Sequence, residues 1–470
     1  MKQEVEIGTI TRSLVVLLAF LTAAATVWAC ADEQMVYAAI GLMAQLIVVF
    51  PFLFLKKYDL FSPWSLVLLS FAVLSTPQAV CMSFKWPSVE AIEYWMLLGR
   101  TPEYFVYPGG IYLLGVACLT IGYFCFQGKL QKRLVVSRRF NQGNMIFVLG
   151  ACVLLSIVAT FAFIRNTGGV ESGKISSKRT KISTLDVQTE QLRQYGALRL
   201  ASKLSSFAFL TLLSYYLVRN EKLSLVHYAV VGLAFFAAFT LPFYSSSRAE
   251  VGWITLNSLG VIYYFRKPRF KSALVVIGAL GVTIFLLMSH LRKSESAEAS
   301  FSASFESMVL NRSGPGLSKT AHVINHVPEP LTYQYGKTIL VWLIAPVPRR
   351  VFPAKPMVHS GPIIGTTIYG TKISGVPPGA IAELYWNFHL PGVICGMLLL
   401  GWFLQTAYSF LHNMDIDRSM LIPIYLFSIF PIGFYVLGNS VGSGIVMRML
   451  EFSVTTVIVY FCTSPSQTSR

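Results

Sequence analysis

Apolar residues in this chain fall in long, almost unbroken runs. They do not show the period of two of a half-buried strand or the three-to-four spacing of a surface helix. A run of about 18 or more apolar residues is long enough to cross a bilayer as a helix, the form that satisfies every backbone amide inside hydrocarbon. Twelve runs are predicted to do so: 11–31, 35–55, 62–84, 107–126, 145–164, 200–218, 225–244, 251–265, 272–290, 384–411, 420–437 and 441–462. The eighth is short for a full crossing, and the third carries Pro77, where a kink is expected. Ala29-Cys30-Ala31 resembles a small-residue cleavage site. Before it, however, Lys2 and Arg12 are offset by Glu4 and Glu6, so the first run is read as a retained anchor.

Most polar intervals are short. Two are long, 165–198 and 291–382. Lys56 and Lys57 follow the second run. Lys129, Lys132, Arg133, Arg138 and Arg139 follow the fourth, Arg219 and Lys222 the sixth, and Arg266, Lys267, Arg269 and Lys271 the eighth. The interval after the first run holds only Asp32 and Glu33. Basic short loops stay on the cytoplasmic side. Both termini are therefore expected to be cytoplasmic, and both long intervals periplasmic, the larger between helices 9 and 10. The expected fold is an all-α polytopic membrane protein of about 12 transmembrane helices, with residues 1–470 forming one integral-membrane domain.

Composition agrees with this reading. Of 470 residues, 54% are hydrophobic and 13% charged, about half the charged share of a soluble domain. The formal charge of +17 is largely the topology signal of the basic loops, so nucleic acid is not an expected partner. A positive excess also remains in the outer intervals. It fits either an anionic ligand on that face or contact with lipid head groups. The seven cysteines lie in or near apolar runs, with no CxxC or Cys/His ligand spacing, and neither a disulfide framework nor a metal is expected. His322 and His326 are four residues apart but lack a third ligand.

The segment 346–392 reads PVPRRVFPAKPMVHSGPIIGTTIYGTKISGVPPGAIAELYWNFHLPG and cannot be continuous membrane helix. Just before it, residues 339–346 are apolar but too short to cross, and are expected to be interfacial or re-entrant. Candidate chemistry gathers in this part of the chain. Arginine at a membrane mouth either anchors the interface or grips an anion bidentately. Arg248, in the short turn YSSSRAEVG, is the leading candidate, followed by Arg312 and the Arg349/Arg350 pair, with Lys355 close by. His359 supplies a group suited to proton transfer, or is an ordinary loop residue. Glu383 stands where the tenth helix begins, as a helix-start acid or as a group that holds or deprotonates a hydroxyl. Tyr385, Trp386 and Asn387 follow it directly. The aromatics suit a sugar ring and equally an interfacial belt.

The motif GVPPGAIAELYWNF, the preceding PRRVFPAKP and the SSSRAE turn together resemble the oligosaccharide repeat unit polymerases, the O-antigen polymerase or Wzy-like class. The late, large outer loop fits the same layout. His359-Ser360 with Gly370 matches only in part the loop histidine of the related ligases. The resemblance implies a GT-C-like fold in the bacterial inner membrane. The implied activity is that of a metal-independent glycosyltransferase with no cofactor, moving a glycan from undecaprenyl pyrophosphate onto another lipid-linked repeat unit. Arg248, Arg349, Arg350, His359 and Glu383 would be catalytic. Arg312, Lys355, Tyr385, Trp386 and Asn387 would bind substrate. Undecaprenyl-pyrophosphate-linked glycans, membrane lipid, a chain-length regulator and a flippase are the implied partners. A lipid-linked glycan flippase or another twelve-helix polysaccharide transporter is the alternative.

Overall fold

The computed structural model describes residues 5–86, 96–125, 138–166, 196–219, 225–245, 247–266, 270–276, 316–345, 351–356, 358–370, 376–413 and 418–465, with single positions 279, 283 and 347. The chain is an all-α, multi-pass membrane protein: ten helices among the described residues are long and apolar enough to cross a membrane. In order, the first helices are α1 (Thr9–Ala31), α2 (Glu33–Leu53), α3 (Pro63–Ser83), α4 (Glu103–Cys125), α5 (Gln142–Asn166), α6 (Leu198–Val218) and α7 (Leu225–Tyr244). α8 (Arg248–Phe265) forms where the short eighth run was predicted. Most of the ninth run, 272–290, lies outside the described residues. α9 (Leu317–Asn325) is a short helix inside the larger polar interval, which sequence pattern alone did not reveal. α10 (Ala380–His412), α11 (Ser419–Gly438) and α12 (Val441–Phe461) complete the order.

The helices group into two compact units. The first holds Met1–Gln131, Phe301–His412 and Ile429–Arg448, and the second holds Lys132–Ser300, Asn413–Ser428 and Met449–Arg470.

In the first unit, α10 packs closely against α4. A Cβ added at Gly122 would strike the Leu398 backbone, and one at Gly401 would strike the Leu119 carbonyl. Small residues let helix backbones approach in this way where no hydrophobic force drives helices together in lipid. α3 contains a π-helical turn over Phe71–Ser75, directly before Pro77, so the irregularity expected there takes the form of a widened turn. Ser75, the last residue of that turn, joins it to α4 through its hydroxyl, 2.6 Å from that of Tyr112.

Two polar clusters mark opposite ends of α10. At the C-terminal end, Asp59 is buried, accepts a 2.7 Å bond from the Tyr408 hydroxyl and lies 3.8 Å from His412. At the N-terminal end lies the site described below. Val5–Glu6 pairs antiparallel with Lys57–Tyr58, which brings the N-terminal residues beside a basic loop. In the second unit, Arg138–Phe140 pairs with Thr463–Pro465 and brings the C-terminal residues beside another.

The second unit is tied by small polar side chains. Ser156 donates to the Ser202 carbonyl at 2.6 Å and to the Ser205 hydroxyl at 2.9 Å, joining α5 to α6. Ser214 bonds the Ser419 carbonyl at 2.9 Å. Lys203, at the break in α6, lies 3.9 Å from Glu451 of α12.

Candidate functional site

The site is built on the first two turns of α10 in the first unit. Gly379, at φ +78°, makes the turn into the helix that a side chain would resist, and its amide bonds the Asn439 carbonyl at 2.8 Å. Residues four apart then share a helix face. Glu383 and Asn387 form one such pair, Tyr385 and His389 another.

The first pair is fully buried. Glu383 Oε2 accepts the Val441 amide at 2.5 Å, so a side chain of α10 caps the first turn of α12, whose N–H groups have no partner of their own. The Gly442 amide and the Thr338 hydroxyl also face this carboxylate, while Oε1 makes no hydrogen bond. One turn on, Asn387 accepts the Gly336 amide at 2.8 Å and donates to the Thr338 hydroxyl and the Glu383 carbonyl, both at 2.7 Å. Trp386 Nε1 donates to the Thr332 carbonyl at 2.9 Å. Trp386 and Asn387, read in the sequence as substrate contacts, thus bind the 332–338 segment to α10.

Lys319 of α9 approaches the same helix start. It is buried, and its Nζ donates to the Gly438 carbonyl at 2.5 Å. A Cβ on Gly379 would meet its side chain. Burial pulls the Lys319 ammonium down to about 7, since desolvation penalises the charged form. His322, one turn later, is completely buried. Its Nε2 sits 2.8 Å from the Met96 carbonyl and Nδ1 3.3 Å from the Tyr104 hydroxyl. A carbonyl only accepts, so Nε2 carries the hydrogen in this contact. Burial lowers the His322 pKa to about 4, against the smaller opposing pull of the Met96 bond.

In the second pair Tyr385 is buried and His389 is exposed. Pro391 has no N–H, and a proline ring crowds the carbonyl four residues back, so the helix breaks one turn upstream. Phe388 takes φ −138°, ψ 17°, and His389 takes φ +56°, ψ −153°. This conformation belongs almost solely to glycine and costs on the order of 1–3 kcal/mol in other residues. Gly392 fits the break because a Cβ there would press on the Leu384 carbonyl and the Phe388 side chain. His389 is exposed. Its Nε2 lies 3.0 Å from the Tyr385 hydroxyl, which in turn lies 3.5 Å from that of Tyr107. The Tyr333 ring stands edge-on at 6.0 Å, with Tyr335 beyond it at 6.1 Å. Tyr107, Tyr335 and Phe388 are all exposed.

The other candidates lie elsewhere. Arg248 is the first residue of α8 in the second unit, and Glu250 in the same turn accepts a 3.0 Å bond from Arg199. Arg312, Arg349 and Arg350 fall outside the described residues. Lys355 Nζ donates to the Ala345 carbonyl at 2.7 Å and to that of Val347 at 2.9 Å, closing its own loop. The exposed His359 ring packs edge-on against Trp342 at 4.9 Å. Trp342 belongs to the apolar segment, whose described part forms short helical turns over Lys337–Leu340 and Val341–Ile344 with Leu340 and Leu343 exposed. Among the described residues no three His, Cys, Asp or Glu side chains converge as metal ligands would.

Sequence reasoning passed over Lys319, His389, Tyr107 and Tyr333. For His389 a signal was present, since Pro391 inside an apolar run marks a helix break about one turn earlier. For Lys319 there was none, because burial of a loop lysine is set by distant residues. No family model, curated protein or solved structure matches this chain.

Proposed function

We propose that this protein polymerises undecaprenyl-pyrophosphate-linked oligosaccharide repeat units into a surface or exopolysaccharide, at the periplasmic face of a bacterial inner membrane. One observation carries the reading. The motif whose residues resemble the repeat-unit polymerases supplies a buried acid at one end of an apolar helix set, and a buried lysine of α9 and an exposed imidazole, with Tyr385 and Tyr333 beside it, lie next to that motif. Such a combination suits an acceptor hydroxyl and a sugar ring near the membrane mouth.

In this reading the crossings number twelve, with α8 and residues 272–290 completing the count, and the termini are cytoplasmic. The pairing of each terminus with a basic loop supports that orientation. The outer arginines, Arg248, Arg312, Arg349 and Arg350, neutralise the departing pyrophosphate in place of a metal.

The test is deletion of the gene in the producing bacterium. The expected outcome is loss of polymer, with single lipid-linked units still reaching the outer leaflet. Accumulation of those units on the cytoplasmic leaflet would instead mark the protein as a flippase. Within the polymerase, Arg248→Ala should shorten or abolish the polymer ladder at normal protein level, by roughly 100- to 1,000-fold in rate. Full-length ladders from both Arg248→Ala and the double Arg349→Ala/Arg350→Ala variant would remove the arginines from the mechanism.

A further inference from the structure

We infer that His389 is the proton acceptor for the attacking sugar hydroxyl, held by Tyr385 within a tyrosine-lined saccharide site on the open face of α10. The inference rests on the polymerase reading and assigns it a residue that the sequence motifs did not single out.

Three observations converge on this histidine. Its ring is exposed beside an otherwise buried helix start, so it can meet a substrate that Glu383, Asn387 and Lys319 cannot. Its backbone occupies a region that histidine disfavours, at φ +56°, ψ −153°, and Pro391 and Gly392 hold it there. Finally, its Nε2 is engaged by the Tyr385 hydroxyl at 3.0 Å, which fixes the ring plane. With Nε2–H donating to Tyr385 Oη, and Tyr385 O–H directed to Tyr107 at 3.5 Å, Nδ1 carries the lone pair. The rings of Tyr333 and Tyr335 line the approach to it, with the exposed ring of Tyr107 beside Tyr385. Aromatic faces carry negative charge density that suits the C–H face of a sugar, and the tyrosine hydroxyls supply its polar partners.

The step balances without a further reactant. The acceptor hydroxyl oxygen bonds to the anomeric carbon of the donor glycan, and its proton passes to Nδ1 of His389. The bond from that carbon to the pyrophosphate oxygen breaks, and its electron pair leaves with undecaprenyl pyrophosphate. The imidazolium then returns its proton to water.

The backbone geometry supplies a discriminating variant. His389→Gly removes the imidazole while relieving the strained conformation, so the protein should fold as well as wild type or better. Purified full-length protein is mixed with membranes of the deletion strain, which carry the cell's own single lipid-linked units. Wild-type protein should build a ladder, and His389→Gly should be slower by about 100-fold or more. Added free imidazole should restore part of the rate in His389→Gly, and none in His389→Gln. A His389→Gly protein that polymerises at the wild-type rate overturns the inference and leaves the polymerase reading standing. So does a folded, inactive His389→Gly protein that imidazole does not rescue. If the glycine variant does not accumulate, His389→Asn, which keeps the backbone strain of the native residue and lacks the imidazole, is assayed at matched protein level, and a wild-type rate from it likewise overturns the inference. Failure of the wild-type protein to make any ladder overturns the polymerase reading itself.

Discussion

Glu383–Asn387 and Tyr385–His389 are two i, i+4 pairs on the same two helical turns, and they have opposite fates. In the first pair both side chains are fully buried, and both are tied to neighbouring segments of the protein. In the second, the tyrosine is buried and the histidine stands in the open, with its Nε2 engaged by that tyrosine. The difference shows how one short motif divides its work. One face fastens α10 to α12 and to the 332–338 segment. The other leaves His389 exposed at the break beside Pro391. An acid in a motif attracts attention, yet this acid sits where a helix needs a cap.

The comparison breaks most readily at Asn387. Asn387→Ala removes three buried hydrogen bonds and leaves the Gly336 amide and the Thr338 hydroxyl without their partner. A loss of about 2–4 kcal/mol is expected, read as a lower unfolding temperature in detergent and less protein in the membrane. An unchanged melting point would place Asn387 on the functional side.

Glu383 sharpens the comparison. Glu383→Ala leaves the Val441 amide buried and uncapped and should cost about 1–3 kcal/mol. Glu383→Gln keeps an oxygen for that amide and should retain most of the stability. A glutamine variant that melts like wild type but makes no polymer would give the carboxylate a chemical role besides its cap.

Tyr385→Phe tests the other face. Among the described residues its hydroxyl contacts His389 and Tyr107, so stability should fall by about 1 kcal/mol or less. The rate should fall roughly tenfold through a loosened imidazole. Equal losses in melting temperature for Tyr385→Phe and Asn387→Ala would erase the distinction between the two faces.

Acid and alkali probe the buried side more gently. The His322 pKa is lowered from 6.5 to about 4, so between those values the unfolded chain binds the proton and the folded chain does not. Stability of the first unit should therefore fall as pH drops from 6.5 toward 4. Lys319, lowered from 10.5 to about 7, gives the same sign in another window, with stability rising as pH climbs between those values. Thermal unfolding at about pH 5, 7 and 9 measures both slopes, and Lys319→Met should flatten the alkaline one. The smallest effect is expected at the second unit's Arg199–Glu250 pair. Arg199 is 53% exposed, and Arg199→Ala should cost under about 1 kcal/mol in a melting assay.

The sequence by itself determined the membrane class, the ten helices seen among the described residues, the irregularity at Pro77 and the start of a long helix beside Glu383. These follow from composition over a window of about 20 residues and from proline chemistry, both of which are local. The tertiary structure alone decided which side chains of that helix start are fastened and which are free. Glu383 is a cap because Val441, far along the chain, starts a helix beside it. Lys319 is buried because Gly438 and Gly379 close over it, and the polar interval that holds it carries no apolar period to announce α9. Tyr107, Tyr333 and His389 meet only once α4, the 332–338 segment and the break in α10 are packed together. Periodicity assigns a residue to a face of its own helix, whereas the environment of that face is set by residues distant in sequence.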